Sequence, residues 1–238
     1  KGYDIFRLNL RDHGNSHHLN EGLFHGALIE ETSRAIQNIA ALACGKPFYI
    51  VGFSLGGNFA LRIGLRQTAD SPIANLRHTV CISPPLDPYK ATLAIDNGLP
   101  IYRYYFLRKW KRSLKKKQSL FPGKYDFKAI IRMRTCLEMT EAIMPYYPDY
   151  RDYRDYFNKY TLEDSRFKNL STPVTVVIAE DDPVICAADY NKLSENDYLN
   201  ILILKHGGHN GFFDSSPFDC WYEKKIEKIF LSADTIEK

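Results

Sequence analysis

The sequence lacks any run of the roughly 18 to 20 apolar residues that a membrane-spanning helix needs. It lacks a Cys-x-x-Cys pair. Its five cysteines, Cys44, Cys81, Cys136, Cys186 and Cys220, are scattered and odd in number. That argues against a disulfide framework and reads as reduced, mostly core thiols of a cytoplasmic protein. No zinc spacing is present. His13, His17, His18 and His25 crowd one short stretch, but neighbouring histidines on an irregular segment point apart, so no metal or cofactor site is expected. No signal-peptide pattern is visible, although a chain incomplete at its N terminus could have lost one. The net charge of +4 is too small to indicate a nucleic-acid partner by itself. No repeat of solenoid length occurs; Asp149-Tyr150-Arg151-Asp152-Tyr153-Arg154-Asp155-Tyr156 is only a short local one.

What is present suits a folded body. With 238 residues, 45% of them hydrophobic, the chain can bury one sizeable core, most simply one domain plus an insertion. Residues 47–51, 76–83, 173–179 and 199–204 read as strands, the third a continuous β-branched run typical of a buried parallel strand. Residues 27–43, 187–195 and 217–231 read as helices. Strands alternating with helices imply a parallel sheet with right-handed crossovers, an α/β fold.

One pentapeptide carries most of the chemistry. Gly52-Phe53-Ser54-Leu55-Gly56 directly follows the strand 47–51 and directly precedes a helical run from Asn58. Strand, Gly-x-Ser-x-Gly, helix is a nucleophile elbow, a turn tight enough to hold Ser54 in a strained conformation with its hydroxyl projecting from the sheet. Both flanking glycines are expected where the backbones nearly touch. The N–H of Leu55, next after the serine, is an oxyanion donor.

A nucleophile needs a base and a group that orients it. The strand 173–179 runs into Glu180-Asp181-Asp182-Pro183, three carboxylates at the C-terminal edge of the sheet, where open α/β sheets place their sites. The strand 199–204 runs into Lys205-His206-Gly207-Gly208-His209-Asn210-Gly211. His209 is preferred to His206 because it follows the glycines and lies farther from the strand end. Serine, then acid, then histidine is the order expected of this arrangement.

These pieces resemble a known family. Asn9-Leu10-Arg11-Asp12-His13-Gly14-Asn15-Ser16, the Ser-Leu-Gly-Gly-Asn of residues 54–58, Ala179-Glu180-Asp181-Asp182-Pro183 and His206 to Phe212 are similar to the YheT-like branch of the α/β-hydrolase superfamily. The resemblance implies a mostly parallel sheet flanked by helices, with an inserted helical cap. It implies an enzyme acting on carboxylic esters or lipid-like substrates through Ser54, Asp182 and His209 and an acyl-serine. Acyl transfer by the same residues is the alternative. Asp182 is favoured because Asp-Pro-Val-Ile resembles the loop in which the family's acid precedes an apolar turn; Asp181 would then be a neighbour or a cap, and Glu180 strand-end scaffolding. Residues 2–10 resemble the family's fourth strand, so the N-terminal strands and their oxyanion donor are missing from this sequence. Either the chain is a piece of a longer protein, or its activity is reduced and it acts as a binding protein.

The domain organisation follows from a gap. About ninety residues separate the strands ending near Ser83 and starting at Pro173, several times a normal crossover. The reading is a core at 1–88, a cap at 89–172, and the rest of the core at 173–238. The cap's tyrosines, phenylalanines and methionines suit an apolar acyl pocket, or simply cap packing. Residues 97–125 contain nine Lys or Arg and no acid. Their helical wheel sets Phe106, Leu107, Trp110 and Leu114 against Arg108, Lys111, Arg112, Lys115 and Lys116. Such a helix can lie on an anionic bilayer, or pack by its apolar side with a solvated charged face. The expected partner is a small-molecule ester or lipid, with no nucleic acid; the sequence does not give the oligomeric state.

Overall fold

A computed structural model of the chain describes residues 2–67, 72–214 and 219–235. The chain forms two compact units, Ile29–Ala91 with Thr161–Lys238, and Lys1–Leu28 with Thr92–Tyr160.

The first of these is a parallel sheet. Strands β1 (Phe48–Phe53), β2 (Leu76–Ile82), β3 (Val174–Ala179) and β4 (Leu199–Leu204) lie in that order, every neighbouring pair parallel. The β-branched sequence of β3 is explained by its place: it sits between two strands and all six of its residues are buried. Helix α1 (Ile29–Leu42) connects toward β1, and α2 (Leu55–Gly64) follows β1 with Gly57 to Gly64 all buried. The last helix, numbered below, packs Ile229 and Phe230 against Val80, Ile82, Val177 and Phe212. Phe230 stacks on Tyr49 with ring centroids 4.1 Å apart.

The second unit is helical, apart from residues 2–28, whose one regular element is a 3-10 helix at Ser16–His18. It holds α4 (Pro100–Leu120), α5 (Cys136–Ile143) and α6 (Tyr153–Asn158), while α3 (Pro88–Asn97) spans the division between the units. A Thr135–Glu138 capping box starts α5, and Asp152 caps α6. The remaining helix is α7 (Trp221–Thr235). The expected start of α7 at 217 and 218 lies outside the described residues.

Two expectations are corrected. Residues 2–10 form no strand, and Ile5 and Phe6 are exposed. A strand exists only through a neighbour that takes its backbone hydrogen bonds, and the four-stranded sheet includes no ladder to this segment. Residues 187–195 are not an α-helix but a 3-10 helix at Ala187–Lys192. Its i→i+3 bonds, such as Asp189 N–H to Cys186 O at 3.1 Å, leave Tyr190 buried with its hydroxyl donating to Pro84 O. Of the two readings open for the aromatic and methionine side chains of the expected cap, packing on one another describes most of them. Phe106, Trp110, Met133, Met139, Met144, Tyr146 and Tyr147 join the core that Leu107, Leu114, Phe127 and Ile143 build.

A half-buried histidine is expected to make the sheet acid-sensitive. His78 Nε2 lies 2.9 Å from Thr175 Oγ1, and burial pushes its imidazole down to about 4. The unfolded chain binds a proton there below about 6.5, while the native state resists until about 4. Stability therefore falls as pH drops through that window and levels off below it, by about 3 kcal/mol at most. In His78→Gln this part of the acid dependence should disappear. Urea midpoints measured from neutral pH to pH 4 check it; an unchanged slope would contradict the assignment.

Candidate active site

The end of β1 sets the first side chain. Ser54 sits between β1 and α2 at φ 50° and ψ −122°, a left-handed conformation that a serine adopts only under constraint. Its N–H bonds to Ile82 O at 2.8 Å, and its carbonyl accepts from Asn58 N–H at 3.0 Å. The turn is as tight as expected on one side only. A β-carbon at Gly52 would lie 2.3 Å from the Gly56 carbonyl oxygen, so glycine is obligatory there. At Gly56 a β-carbon would meet nothing within 4 Å. The expectation that both flanking glycines are sterically required is thus wrong for Gly56. The second close approach is Gly57, where a β-carbon would come 3.1 Å from the Pro84 ring and 3.2 Å from Gly52 O.

The other two side chains converge on Ser54. His209 Nε2 lies 2.9 Å from Ser54 Oγ. His209 Nδ1 faces Asp182, 3.0 Å from Oδ2 and 3.1 Å from Oδ1. The chain of contacts is continuous, and its inner end is dry: the Asp182 side chain is 0% exposed and that of His209 only 6%. Asp182 is itself fixed, because its Oδ1 accepts the Val184 and Ile185 N–H groups at 2.8 and 3.0 Å. These are the bonds that an Asp before a turn makes to its own loop.

Asp181 points elsewhere. Its Oδ1 accepts from Gly207 N–H at 2.9 Å and Gly208 N–H at 2.8 Å, and these backbone donors, Gly208 first, hold its carboxyl below the usual range. It braces the loop that presents His209. His206 is exposed, with Nδ1 3.6 Å from Asp181 Oδ2, and Glu180 is exposed at the strand end. The loop's backbone is unusual as well. Gly208 and Asn210 have positive φ, and a β-carbon at Gly207 would lie 2.4 Å from the Phe212 ring.

Leu55 is the first residue of α2. Its N–H belongs to the four at a helix start that have no intrahelical partner, at the positive end of the helix dipole. Such a group beside Ser54 can stabilise a developing oxyanion.

Sequence reasoning missed the side chains that hold this edge. Asn58, fully buried, donates from Nδ2 to Pro85 O at 2.8 Å. Tyr190 grips Pro84 O from the segment that follows Asp182. The Pro84-Pro85 stop of β2 is therefore tied both to α2, which follows Ser54, and to the segment that follows Asp182. Asn58 had a signal in the Ser-Leu-Gly-Gly-Asn motif; Tyr190 had none. Among the described residues no group of three or more His, Cys, Asp or Glu side chains is placed to hold a metal ion. Of the early histidines, His17 is buried with Nε2 2.8 Å from Ser113 Oγ, and His13 Nδ1 donates to Arg11 O.

The sequence matches the alpha/beta hydrolase family over residues 1–219. The chain belongs to that family. Among its relatives is the monoacylglycerol lipase of Saccharomyces cerevisiae (strain ATCC 204508 / S288c), 22% identical over 230 residues, which are 90% of this chain and 50% of that protein. Another is YheT of Escherichia coli (strain K12), 23% identical over 216 residues, 86% of this chain and 61% of that protein. The chain thus spans about half the length of these relatives. In fold it is similar to the serine hydrolase CCSP0084 of Cycloclasticus zankles, with a TM-score of 0.52 and 16% identity, covering 96% of this chain and 77% of that one. The α/β-hydrolase fold accounts for Ser54, Asp182 and His209 following β1, β3 and β4 at one edge of a parallel sheet.

Proposed function

We propose that the chain is a serine hydrolase of carboxylic esters, with Ser54 as nucleophile, His209 as general base and Asp182 as the group that orients the base. The observation that carries this reading is the unbroken contact chain from Ser54 Oγ through His209 to the dry Asp182 carboxylate. An Nδ1–H held by that carboxylate leaves Nε2 free to accept the Ser54 proton. Oγ then attacks the ester carbonyl carbon, and the Leu55 N–H faces the negative charge that collects on the carbonyl oxygen. The tetrahedral species collapses as Nε2 returns the proton to the leaving alkoxide, giving an acyl-serine and an alcohol. Water, deprotonated by Nε2, releases the acid by the same steps.

The substrate class rests on similarity. The related yeast protein is named a monoacylglycerol lipase, which supports an ester or lipid-like substrate here. Acyl transfer would use the same residues with an alcohol in place of water.

The test is a panel of nitrophenyl esters alongside the matching anilides. Ester turnover is expected to exceed anilide turnover and to depend on Ser54. Longer acyl chains should gain several-fold in kcat/KM per added carbon until the site is filled, since each buried methylene contributes about 0.8 kcal/mol. Anilide cleavage outpacing ester cleavage would refute the substrate claim.

A further inference from the structure

Helix α4 buries one face and leaves another with an unusual composition. Leu107, Leu114 and Lys117 are buried on the inner side. Ile101, Tyr104, Tyr105, Arg108, Lys109, Arg112, Lys115 and Lys116 are all exposed. These positions recur every three or four residues, so they form one stripe along the helix. The stripe is not mixed. Its first two turns are apolar: Ile101 is 71% exposed, Tyr104 64% and Tyr105 55%, and Leu99 just before the helix is 56% exposed. From Arg108 to Lys116 its exposed residues are all basic, Ser119 and Leu120 close it at the helix end, and no acidic residue occurs from 97 to 125. At the junction Lys109 Nζ lies 5.5 Å from the centre of the Tyr105 ring.

A solvated helix face is ordinarily polar throughout. An apolar, tyrosine-bearing end followed by a band of cations is instead graded along the helix axis. The graded partner with matching chemistry is a lipid surface, where an apolar layer lies beneath anionic headgroups. Single-stranded nucleic acid would be better served by aromatics and cations interleaved, so that bases stack while phosphates are neutralised. Here the two classes are separated.

We infer that α4 docks this stripe on an anionic lipid surface, with Ile101, Tyr104 and Tyr105 entering the interfacial layer and Arg108, Lys109, Arg112, Lys115 and Lys116 facing the headgroups. The docking is peripheral, because no helix among the described residues is long and apolar enough to cross a membrane. It does not depend on the chemistry at Ser54.

Cosedimentation of the full chain with vesicles tests this. The chain should bind vesicles of phosphatidylserine and phosphatidylcholine, and bind phosphatidylcholine alone far more weakly. A cation near an anionic surface is worth about fivefold in partitioning, so Arg108→Gln/Lys109→Gln/Arg112→Gln should bind roughly a hundredfold less well. Ile101→Ser/Tyr104→Ser/Tyr105→Ser should lose about tenfold or more through its apolar contacts. Binding should weaken as salt rises, because these charges are exposed. A polarity-sensitive dye on Tyr104→Cys should report a less polar environment when vesicles are added. Both triple variants alter exposed positions, and circular dichroism checks that they remain folded. Equal binding by wild type and the charge variant, an unchanged dye signal, or no vesicle binding at all would overturn the proposal. Binding to a single-stranded polynucleotide without binding to vesicles would assign the stripe to nucleic acid instead.

Discussion

Asp182→Asn is expected to lower kcat for ester hydrolysis by about 10⁴-fold while leaving the fold intact. The separation of the two effects follows from how the carboxylate is used. Its Oδ1 takes the Val184 and Ile185 N–H groups, and an amide oxygen can still accept both. The structural half of the role therefore survives. The other half does not. An amide nitrogen facing His209 Nδ1 is a donor, so the imidazole must accept there and carry its proton on Nε2. An Nε2–H cannot take the proton of Ser54. Asp181→Asn should be much milder, because its oxygen still accepts from Gly207 and Gly208. Turnover of a nitrophenyl ester and a thermal melt on each variant check this. Asp182→Asn within tenfold of wild type, with Asp181→Asn inactive, would transfer the role to the neighbour.

Lys117→Met is expected to destabilise the chain by about 3–5 kcal/mol, although Lys117 looks in sequence like one more residue of a basic surface. Its Nζ is buried, 2.8 Å from Asp12 Oδ1, and it also donates to the carbonyls of His17 and Asn20. Asp12 in turn accepts Phe24 N–H on Oδ2 at 2.9 Å. One ammonium thus gathers three points of a segment whose one regular element is the short 3-10 helix Ser16–His18. Removing it strands a carboxylate in a dry site and leaves two carbonyls without their donor. Asp12→Asn/Lys117→Met should recover a large part of the loss, since no unpaired charge then remains. Urea denaturation of both variants decides the matter. A single variant within about 1 kcal/mol of wild type would show that the pair is not a structural anchor.

What the sequence disclosed and what it hid divide along the distance over which each feature is determined. Strand β4 runs from Leu199 to Leu204, as its apolar run implies, and β3 is legible from its β-branched residues, because burial between neighbours selects such side chains. The candidate site is legible for a related reason. Each of its members stands beside a local backbone signal: Gly52 before Ser54, the Asp-Pro turn at Asp182, and Gly207-Gly208 before His209. Residues 2–10 have the composition of a strand, but a strand also needs a partner, and composition does not supply one. Lys117 falls on the same stripe as Leu107, Trp110 and Leu114, yet its charge concealed a buried partner 105 residues away. The partition of Asp181 and Asp182 between bracing the loop and facing His209 depends on a bend of a single residue. No periodicity reports that. Gly56 shows the converse error: its carbonyl does crowd Gly52, but at this turn a side chain is excluded only at Gly52 and Gly57.

The most direct measurement is intact-mass and peptide mapping after exposure to a fluorophosphonate, which forms a stable adduct only with a serine whose hydroxyl is activated. One adduct per chain is expected, located on Ser54, absent from Ser54→Ala and formed far more slowly in His209→Ala. Equal labelling of wild type and Ser54→Ala, or an unlabelled Ser54 in a folded wild-type chain, would contradict it.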